Sequence, residues 1–487
     1  MKDKLALLHP LLFLIIFVIM PYAQYAGLIP LAQTIVPFIV LCVFALFFYL
    51  IIKRIVKKAD VAVALLTPFL IIFWNYGILY EYISSLTNGT KFKSPVLILA
   101  TLFILIILVV YIVKVLRVRE VTIKKVNKFF CIIAVALIIF NIFSATRQSI
   151  ATEKIIESSS MTGIPLRNHI SPLPDIYFVI LDEYAAPSQM KSYLQYDMSP
   201  FVEYLRQKGF MVTEMSTQSL STAEIMEDRL NMEAKNRQEV ASTPSSLSSS
   251  LLENMNIINT HEKEQIIRTR NSKVIVYFKS IGYQFIQMGS WFAQTRYNQL
   301  ADQNINCFGF QFKDELSTII ANNSVLRLVL INRYFHSTAV LDAFAVLENM
   351  PIIAGKPKFI FTHIICPHTP FVFGANGEKL DLTLGKNKDN KQLYLDQHIF
   401  ITKKVKEFVD QKLSTSQTAP VIIIQADHGF RVDKIQAHQV FSAIYMPDYK
   451  GDPWADALPS YNTFPLILND LFGTNFDIRE LKEKRKS

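Results

Sequence analysis

The chain has 487 residues, of which 51% are hydrophobic and 18% are charged, and its formal net charge is +10. Residues 1–149 hold 15 Lys/Arg and 4 Asp/Glu, a net of +11, whereas residues 150–487 hold 35 Lys/Arg and 36 Asp/Glu, a net of −1. The positive charge therefore belongs to the apolar N-terminal region, and nucleic acid is not an expected partner. Four cysteines are too few for a disulfide framework, and the spacing of Cys307 and Cys366 leaves open whether they pair.

The N-terminal region contains five apolar stretches, each about 17–20 residues long and so able to cross a bilayer. They are residues 5–24, 35–52, 61–80, 95–113 and 129–145. Each is apolar around its whole circumference, which is atypical of an amphipathic surface helix. We expect a transmembrane domain of five helices over residues 1–149. Cleavage of the first stretch as a signal peptide is an alternative that would not change the placement of the rest.

Basic residues lie on alternate connections between these stretches, near residues 2–4, 53–58 and 114–128. The positive-inside rule places those connections in the cytoplasm. Everything after the fifth stretch is then expected on the periplasmic or extracellular side of a plasma or inner membrane. This part is predicted to consist of a polar linker at 150–171, a catalytic domain at 172–476 and a charged tail at 477–487.

The first strand of the predicted domain is P-D-I-Y-F-V-I-L at residues 174–181, a run typical of a strand buried on both faces. It leads directly into Asp182 and Glu183. Because ligands of open α/β sheets bind just beyond the carboxyl ends of the strands, these carboxylates are candidate metal ligands.

The segment 216–232 begins with several hydroxyl side chains and becomes helical near Ala223. Its candidate hydroxyls are those of Thr217, Ser219, Ser221 and Thr222. Hydroxyls at a helix start are most often caps. The alternative is that one of them is a nucleophile, activated by a metal and by the positive end of the helix dipole.

Another buried strand, K-F-I-F-T at 358–362, runs into H-I-I-C-P-H-T-P. His363 is expected in the core or behind the site, whereas His368, in a loop flanked by prolines, is the expected reactive residue. A charged helix follows at 394–411, where His398 is expected to face solvent.

The last of these strand ends is V-I-I-I-Q-A-D-H-G, residues 421–429. It delivers Asp427 and His428 to the end of a buried strand, and Gly429 permits a sharp turn. A carboxylate and an imidazole placed there together indicate a metal. The alternative is that Asp427 caps the next helix and His428 packs in the core. A loop with Arg431 and His438 then precedes a final apolar strand at 440–446.

Taken together and in this order, these motifs resemble the alkaline phosphatase/sulfatase superfamily. They are most similar to its membrane-anchored sulfatase-like transferases, which include phosphoethanolamine transferases and lipoteichoic acid synthases. The resemblance extends from about residue 172 to 476, together with the anchor, and depends on residues 180–185, 282–291, 367–373, 426–429 and 462–475. It implies an α/β/α sandwich after the transmembrane bundle, with a divalent cation (Zn, Mn, Mg or Ca) at the strand ends.

The resemblance also implies roles for individual residues. The implied metal ligands are Asp182, Glu183, Thr222, Asp427 and His428. The implied catalytic residues are Thr222, His368 and His438, with Thr222 as the nucleophile. The implied substrate-binding residues are His368, Arg431 and His363.

Two features depart from the pattern. No cysteine begins a C-x-P-x-R motif, so a formylglycine sulfatase is disfavoured. The segment after Thr222 is unusually acidic, and Glu224 or Glu227 would repel a phosphate, which leaves Ser221, Ser219 and Thr217 as alternative nucleophiles.

The expected activity is transfer of a phospho-head-group from a membrane phospholipid to a surface glycan or lipid, through a phospho-threonine intermediate. Two alternatives remain open. One is a membrane phosphodiesterase or other ester hydrolase that uses water as acceptor, and the other is a degenerate, non-catalytic member of the group.

Overall fold

The computed structural model describes residues 8–80, 120–159, 173–234, 260–307, 314–327, 334–350, 356–380, 390–431, 436–447 and 454–479, with single residues at 100, 104 and 449. The chain divides into two compact units. The first comprises Met1–Lys154, Gln238–Lys263 and Phe312–Ile331, and the second comprises Ile155–Arg237, Glu264–Gln311 and Asn332–Ser487.

Fourteen α-helices and seven strands have both ends in the described part of the chain. The helices are α1 (His9–Gln24), α2 (Ile35–Val56), α3 (Ala59–Trp74), α4 (Glu120–Ser159), α5 (Pro187–Leu194), α6 (Ser199–Gln207), α7 (Thr222–Asn231), α8 (Thr260–Arg270), α9 (Lys273–Ser280), α10 (Ala293–Arg296), α11 (Glu315–Asn323), α12 (Tyr334–Asn349), α13 (Asn390–Thr415) and α14 (Thr463–Phe472). The strands are β1 (Ile176–Leu181), β2 (Met211–Ser216), β3 (Gln284–Gly289), β4 (Gln303–Asn306), β5 (Lys358–Ile364), β6 (Val421–Ala426) and β7 (Gln439–Tyr445). Short 3-10 helices lie at Leu31–Thr34, Gln436–His438 and Ser460–Asn462.

The first unit is helical. Helices α1, α2 and α3 pack on one another, and α11, from much later in the chain, packs on α1. A buried polar link joins three helices, because His9 bonds to Thr67 on α3 at 2.6 Å and to Asn127 on α4 at 3.1 Å. The outer faces of α2 and α4 expose large apolar side chains such as Phe47 and Phe143, as expected of helices in contact with lipid.

Among the residues that the structure describes, two helical segments are long and apolar enough to cross a membrane, Leu31–Val56 and Ile123–Glu157. They contain the predicted stretches 35–52 and 129–145. The stretches 5–24 and 61–80 coincide mainly with the shorter apolar helices α1 and α3, and the stretch 95–113 lies outside the described residues. The arrangement of five spans therefore stays a prediction. The predicted linker at 150–171 is helical as far as Ser159, because α4 continues to that residue.

The second unit is built on one seven-stranded sheet with the order β2-β7-β6-β1-β5-β3-β4. Strands β6, β1, β5, β3 and β4 run parallel, while β7 is antiparallel to both β6 and β2. In register, Leu181 on β1 lies between Ile364 on β5 and Ala426 on β6. The three strands thus end side by side, and the residues that follow them meet at one edge of the sheet.

Alternate residues of β1 enter two separate cores, which explains why its sequence is apolar throughout. Tyr177, Val179 and Leu181 pack on the face covered by α12 and α13. Ile176, Phe178 and Ile180 pack on the other face, with α7, α9 and α14. The unit is a three-layered α/β/α arrangement of the kind that the motifs predict.

Some predictions about single elements are wrong or incomplete. His398 does not face solvent: it is fully buried, and its ring stacks on Tyr184 with centroids 4.0 Å apart. Strands β2 (Met211–Ser216) and β4 (Gln303–Asn306) have no counterpart among the strands predicted above. Cys307 and Cys366 are both buried and are free thiols.

Candidate active site

The end of β6 carries Asp427, which is completely buried and fully hydrogen-bonded. Its Oδ1 accepts the backbone N–H of His428 at 2.8 Å and that of Glu183 at 2.9 Å. Its Oδ2 accepts the Thr222 hydroxyl at 2.7 Å. Burial by itself would raise the pKa of this carboxyl, but the neighbouring imidazoles of His428 and His363 and these hydrogen bonds bring the pKa below its usual value. Asp427 is therefore an anion at neutral pH.

The end of β1 carries Asp182, whose carboxylate is buried but only partly engaged. Its Oδ2 lies 3.3 Å from Nε2 of His363, and its Oδ1 accepts no hydrogen bond from the described residues. Nδ1 of His363 lies 3.1 Å from the hydroxyl of Thr295, which orients the ring. A buried carboxylate oxygen without a donor is unfavourable unless a cation or another group satisfies it.

His428 follows Asp427 directly and is also fully buried. Its Nδ1 lies 2.8 Å from the carbonyl of Gly429. A carbonyl only accepts, so Nδ1 carries the proton and Nε2 presents a lone pair. That lone pair accepts a hydrogen bond from the Arg431 guanidinium at 2.6 Å. Arg431 is exposed, so it can move aside when a cation takes the lone pair.

Asp182, Asp427 and His428 together have the composition of a divalent-metal site. One ligand atom from each lies within 4.8 Å of the other two, close to the spacing of roughly 3–4 Å expected around one ion. Carboxylate oxygens with a neutral imidazole suit Zn²⁺ and Mn²⁺, and two carboxylates also suit harder cations. The unsatisfied Oδ1 of Asp182 supports this fit, because a cation would supply the partner that the protein does not.

Thr222 is the first residue of α7, and its side chain is buried against Asp427. At this position its hydroxyl lies at the positive end of the helix dipole. Two of the other predicted hydroxyls are engaged locally: Thr217 donates to the carbonyl of Ser219 at 2.8 Å, and the Ser219 hydroxyl accepts the N–H of Ser221 at 2.9 Å. Among the four candidates, Thr222 is the one bonded to the metal-type cluster.

Arg229 places a buried positive charge behind Asp427. It lies seven residues after Thr222 on α7, about two turns along the same helix. It is fully buried and donates to the carbonyl of Ala426 at 3.0 Å. Burial lowers the pKa of Arg229 to about 10, while the charges of Asp427 and Asp228 act in the opposite direction. Arg229 stays charged at neutral pH and balances part of the acidity that follows Thr222.

The acidic residues after Thr222 are not all aimed at the site. Glu227 is buried, and its Oε1 lies 3.7 Å from Nε of Arg268. Its charge is therefore partly balanced within the α7–α8 region.

Glu183 lies beside the cluster without joining it. Its side chain is buried, and its Oε1 accepts the backbone N–H of Arg431 at 3.0 Å. Burial raises the pKa of this carboxyl, and the bond from Arg431 together with the charges of His368, His428 and Arg431 offsets part of that rise. The predicted role of Glu183 as a metal ligand remains a prediction.

Backbone hydrogen bonds link His368 and His438 to segments that lead into the site. The N–H of His368 donates to the carbonyl of Asp182 at 3.1 Å, and the carbonyl of His438 accepts the N–H of Thr217 at 2.9 Å. In each imidazole Nδ1 lies close to a backbone carbonyl, that of Thr369 at 2.7 Å or that of Thr217 at 2.9 Å. Both rings are thus held with Nδ1 protonated and with Nε2 as the remaining acid–base atom.

The structure brings together the side chains of Thr222, Asp182, Asp427 and His428, with Glu183 and Arg431 alongside and His363 behind Asp182. Sequence reasoning missed Arg229 and Thr295. The i, i+7 spacing from Thr222 is a signal that could have placed Arg229 on the same face of α7. Nothing local distinguishes Thr295, which contacts His363 only because β3 and β5 pair in the sheet.

The sequence matches no protein-family model and no curated protein. The structure is similar to the integral membrane lipooligosaccharide phosphoethanolamine transferase A (EptA) from Neisseria meningitidis, at 12% identity over 94% of each chain, with a TM-score of 0.39. It is also similar to the lipoteichoic acid synthase LtaP from Listeria monocytogenes, at 12% identity over 68% of this chain and 79% of that one, with a TM-score of 0.39. A third similar structure is the Streptococcus pyogenes phosphoglycerol transferase GacH in complex with sn-glycerol-1-phosphate, at 12% identity over 66% and 79% of the two chains, with a TM-score of 0.39.

Proposed function

We propose that the chain is a membrane-anchored, metal-dependent phosphotransferase. It would move a phospho-head-group, of the phosphoethanolamine or phosphoglycerol type, from a membrane phospholipid to a surface glycan or lipid. The observation that carries the proposal is the hydrogen bond between Thr222 Oγ1 and Asp427 Oδ2 at 2.7 Å, since it places a hydroxyl at a helix N-terminus within a buried Asp-Asp-His cluster.

The proposed cation would be held by Asp182, Asp427, His428 and the Thr222 oxygen. When bound, a divalent cation lowers the pKa of a coordinated hydroxyl and neutralises charge on phosphoryl oxygens. Asp427 accepts the Thr222 proton in a hydrogen bond and so directs an oxygen lone pair away from β6. Arg431, displaced from Nε2 of His428, becomes available to an anionic substrate as a bidentate donor.

Transfer would proceed by two displacements at phosphorus. In the first, the Thr222 hydroxyl gives its proton to a base and its oxygen bonds to phosphorus, while the bond to the lipid alcohol breaks and that alcohol takes up a proton. In the second, an acceptor hydroxyl gives its proton to a base and bonds to phosphorus, while the bond to the Thr222 oxygen breaks and that oxygen takes a proton back. His368 and His438, each with Nε2 available, are the proposed acid and base.

The apolar helices support a lipid-linked donor. An anchor keeps the catalytic domain beside the outer leaflet, where phospholipid head groups are presented. Location in the plasma or inner membrane, with several spans and the domain on the outer side, is part of this proposal.

The test is to incubate the purified full-length protein with native membrane lipids and digest it with trypsin. Thr222 lies in the tryptic peptide of residues 209–229, which also contains Thr217, Ser219 and Ser221, so fragmentation must locate the modified hydroxyl. We expect a head-group mass increment on Thr222 that disappears when an acceptor glycan or lipid is added.

Thr222→Ser and Thr222→Ala are the matched variants for this test: Ser should acquire the increment and Ala should not. Steady turnover to water without any acceptor would identify a hydrolase instead. Absence of both the increment and turnover, in a protein loaded with metal, would rule out the enzymatic proposal.

A further inference from the structure

The turn after β1 contains an unusual backbone conformation. Glu183 has a φ of 62°, in the left-handed region. This region is unfavourable for a residue with a β-carbon, so neighbouring contacts must stabilise it. Since Glu183 directly follows Asp182, those contacts also influence where the Asp182 carboxylate lies.

One buried hydroxyl supplies two of these contacts. Tyr394 on α13 is fully buried; its OH donates to the carbonyl of Glu183 at 2.6 Å and accepts the N–H of Ala185 at 3.0 Å. The hydroxyl thereby bridges the two backbone groups on either side of Tyr184. These are long-range contacts, over about 210 positions of the chain, so no local turn motif replaces them.

Glu183, within the turn that Tyr394 bridges, also contacts residues of the candidate active site. The N–H of Glu183 donates to Asp427 Oδ1 at 2.9 Å, and the Glu183 carboxylate accepts the N–H of Arg431 at 3.0 Å. If the left-handed conformation relaxes, the N–H that orients Asp427 and the carboxylate that holds the Arg431 loop both move.

We propose that Tyr394 is a positioning residue whose hydroxyl locks residues 183–185 and thereby sets the spacing of Asp182 and Asp427. The inference rests on the metal site of the proposed function, but it does not depend on which group is transferred. Tyr394 acts through the backbone turn and needs no contact of its own with metal or substrate.

The hydroxyl can be separated from the packing of the ring. The Tyr394 ring stacks on Phe430 with centroids 4.1 Å apart and planes inclined by 22°, and Tyr394→Phe keeps that ring. Tyr184 is the matched control: it is equally buried, and its OH bonds to the Thr402 hydroxyl at 2.6 Å, a contact that does not involve the turn backbone. Each substitution removes one buried phenolic hydroxyl. Tyr394→Phe removes hydrogen bonds to the turn backbone, whereas Tyr184→Phe removes a hydrogen bond to a side chain.

The experiment measures the affinity of the full-length protein for Zn²⁺ and Mn²⁺ by competition with a chelator. Supporting residues behind metal ligands typically contribute tenfold to a hundredfold to affinity. We expect Tyr394→Phe to weaken binding about tenfold or more and Tyr184→Phe to change it by less than about threefold. Equal effects of the two substitutions, or no effect of Tyr394→Phe, would overturn the proposal.

A double-mutant cycle tests the route through the turn. Glycine adopts positive φ without cost, so in a Glu183→Gly background the additional effect of Tyr394→Phe should shrink to less than about threefold. An additional effect of undiminished size would show that Tyr394 does not act by stabilising the left-handed conformation.

Hydrogen exchange of the metal-free protein tests the role of Tyr394 even if the proposed function is wrong. Tyr394→Phe should speed exchange of the Ala185 amide at least about tenfold, because that N–H loses its acceptor, whereas Tyr184→Phe should leave it nearly unchanged. If the wild type binds no metal, the proposed function fails and this exchange measurement alone decides the positioning role. Unchanged exchange in Tyr394→Phe would reject that role.

Discussion

The strands β1 and β6 are both followed by an aspartate, but the hydrogen bonding of the two carboxylates differs. Asp427 accepts two backbone amides and the Thr222 hydroxyl. Asp182 has one oxygen close to His363, while its Oδ1 accepts no hydrogen bond from the described residues. The end of β6 is thus completed by the protein itself, whereas the end of β1 keeps a buried oxygen available to a cation.

The difference indicates that the two aspartates have different roles. Asp427 holds the Thr222 hydroxyl through a hydrogen bond that needs no metal. Asp182 has no donor for its Oδ1 among the described residues, and the proposed cation would supply that partner. Substitutions at the two ends should therefore separate stability from metal affinity.

The largest effect is expected from Asp427→Asn. The substitution removes the charge opposite Arg229 and leaves at least one of three buried donors without a good acceptor. We expect metal affinity to fall more than about a hundredfold and the free energy of unfolding of the metal-free protein to fall by about 3 kcal/mol. Metal analysis and urea unfolding measure the two effects, and a stable variant with full metal content would contradict the role given to Asp427.

Thr222→Ala should affect chemistry much more than binding. The hydroxyl is the proposed nucleophile, so transfer should fall at least about a thousandfold. Metal affinity should change by no more than about tenfold, because the Asp182, Asp427 and His428 ligands remain. Head-group transfer to an acceptor and metal titration are the measurements; Thr222→Ser, which keeps a hydroxyl, should retain measurable transfer. Full transfer by Thr222→Ala would exclude this residue as nucleophile.

Asp182→Asn tests whether Asp182, unlike Asp427, affects metal affinity without stabilising the metal-free protein. We expect metal affinity to fall about tenfold to a hundredfold, while the metal-free protein becomes no less stable, because a partly unsatisfied buried charge is removed. Urea unfolding in the presence of a chelator measures the second effect. A loss of stability as large as that of Asp427→Asn would show that the two ends are equivalent after all.

The smallest effect is the pH dependence of stability that we expect from His398, whose ring stacks on Tyr184 in the turn after β1. Burial lowers the pKa of His398 to about 3, against about 6.5 in the unfolded chain. Between these values the unfolded state binds the additional proton, so stability is lost as pH falls below about 6.5 and is unaffected above it. From pH 7 to pH 5 this loss is about 2 kcal/mol.

His398→Phe keeps an aromatic ring and removes the titrating group. Its unfolding free energy, measured in urea without metal, should therefore decline less than that of the wild type between pH 7 and pH 5. Parallel declines for the two proteins would show that His398 does not remain neutral in the fold.

Much of the second unit could be predicted from local sequence, because its central strands are buried on both faces. The strands that carry or precede Asp182, His363 and Asp427 are mainly apolar and are buried at every position, and all three end at the same edge of the sheet. Strand β4 carries Q-N-I-N, which has neither apolar alternation nor β-branched enrichment, and so its pairing with β3 could not be predicted.

The prediction that His398 faces solvent is wrong, because helical spacing and not the charge of its neighbours decides which face of α13 is buried. Tyr394, Ile401 and Val405 lie four residues before His398 and three and seven residues after it, on one apolar face of α13. The same spacing places His398 on that buried face. Its stacking on Tyr184, by contrast, depends on how α13 packs on the sheet.

The sequence by itself determined which side chains follow the central strands, since strands buried on both faces are mainly apolar and differ visibly from the polar residues that come after them. It also determined that the N-terminal helices are apolar on all sides. The tertiary structure decided which hydroxyl bonds to Asp427, which oxygen of Asp182 is left without a donor, and that Arg229 and Tyr394 stand behind the site. These are contacts between residues tens to hundreds of positions apart, and only the packing of helices on the sheet brings them within bonding distance.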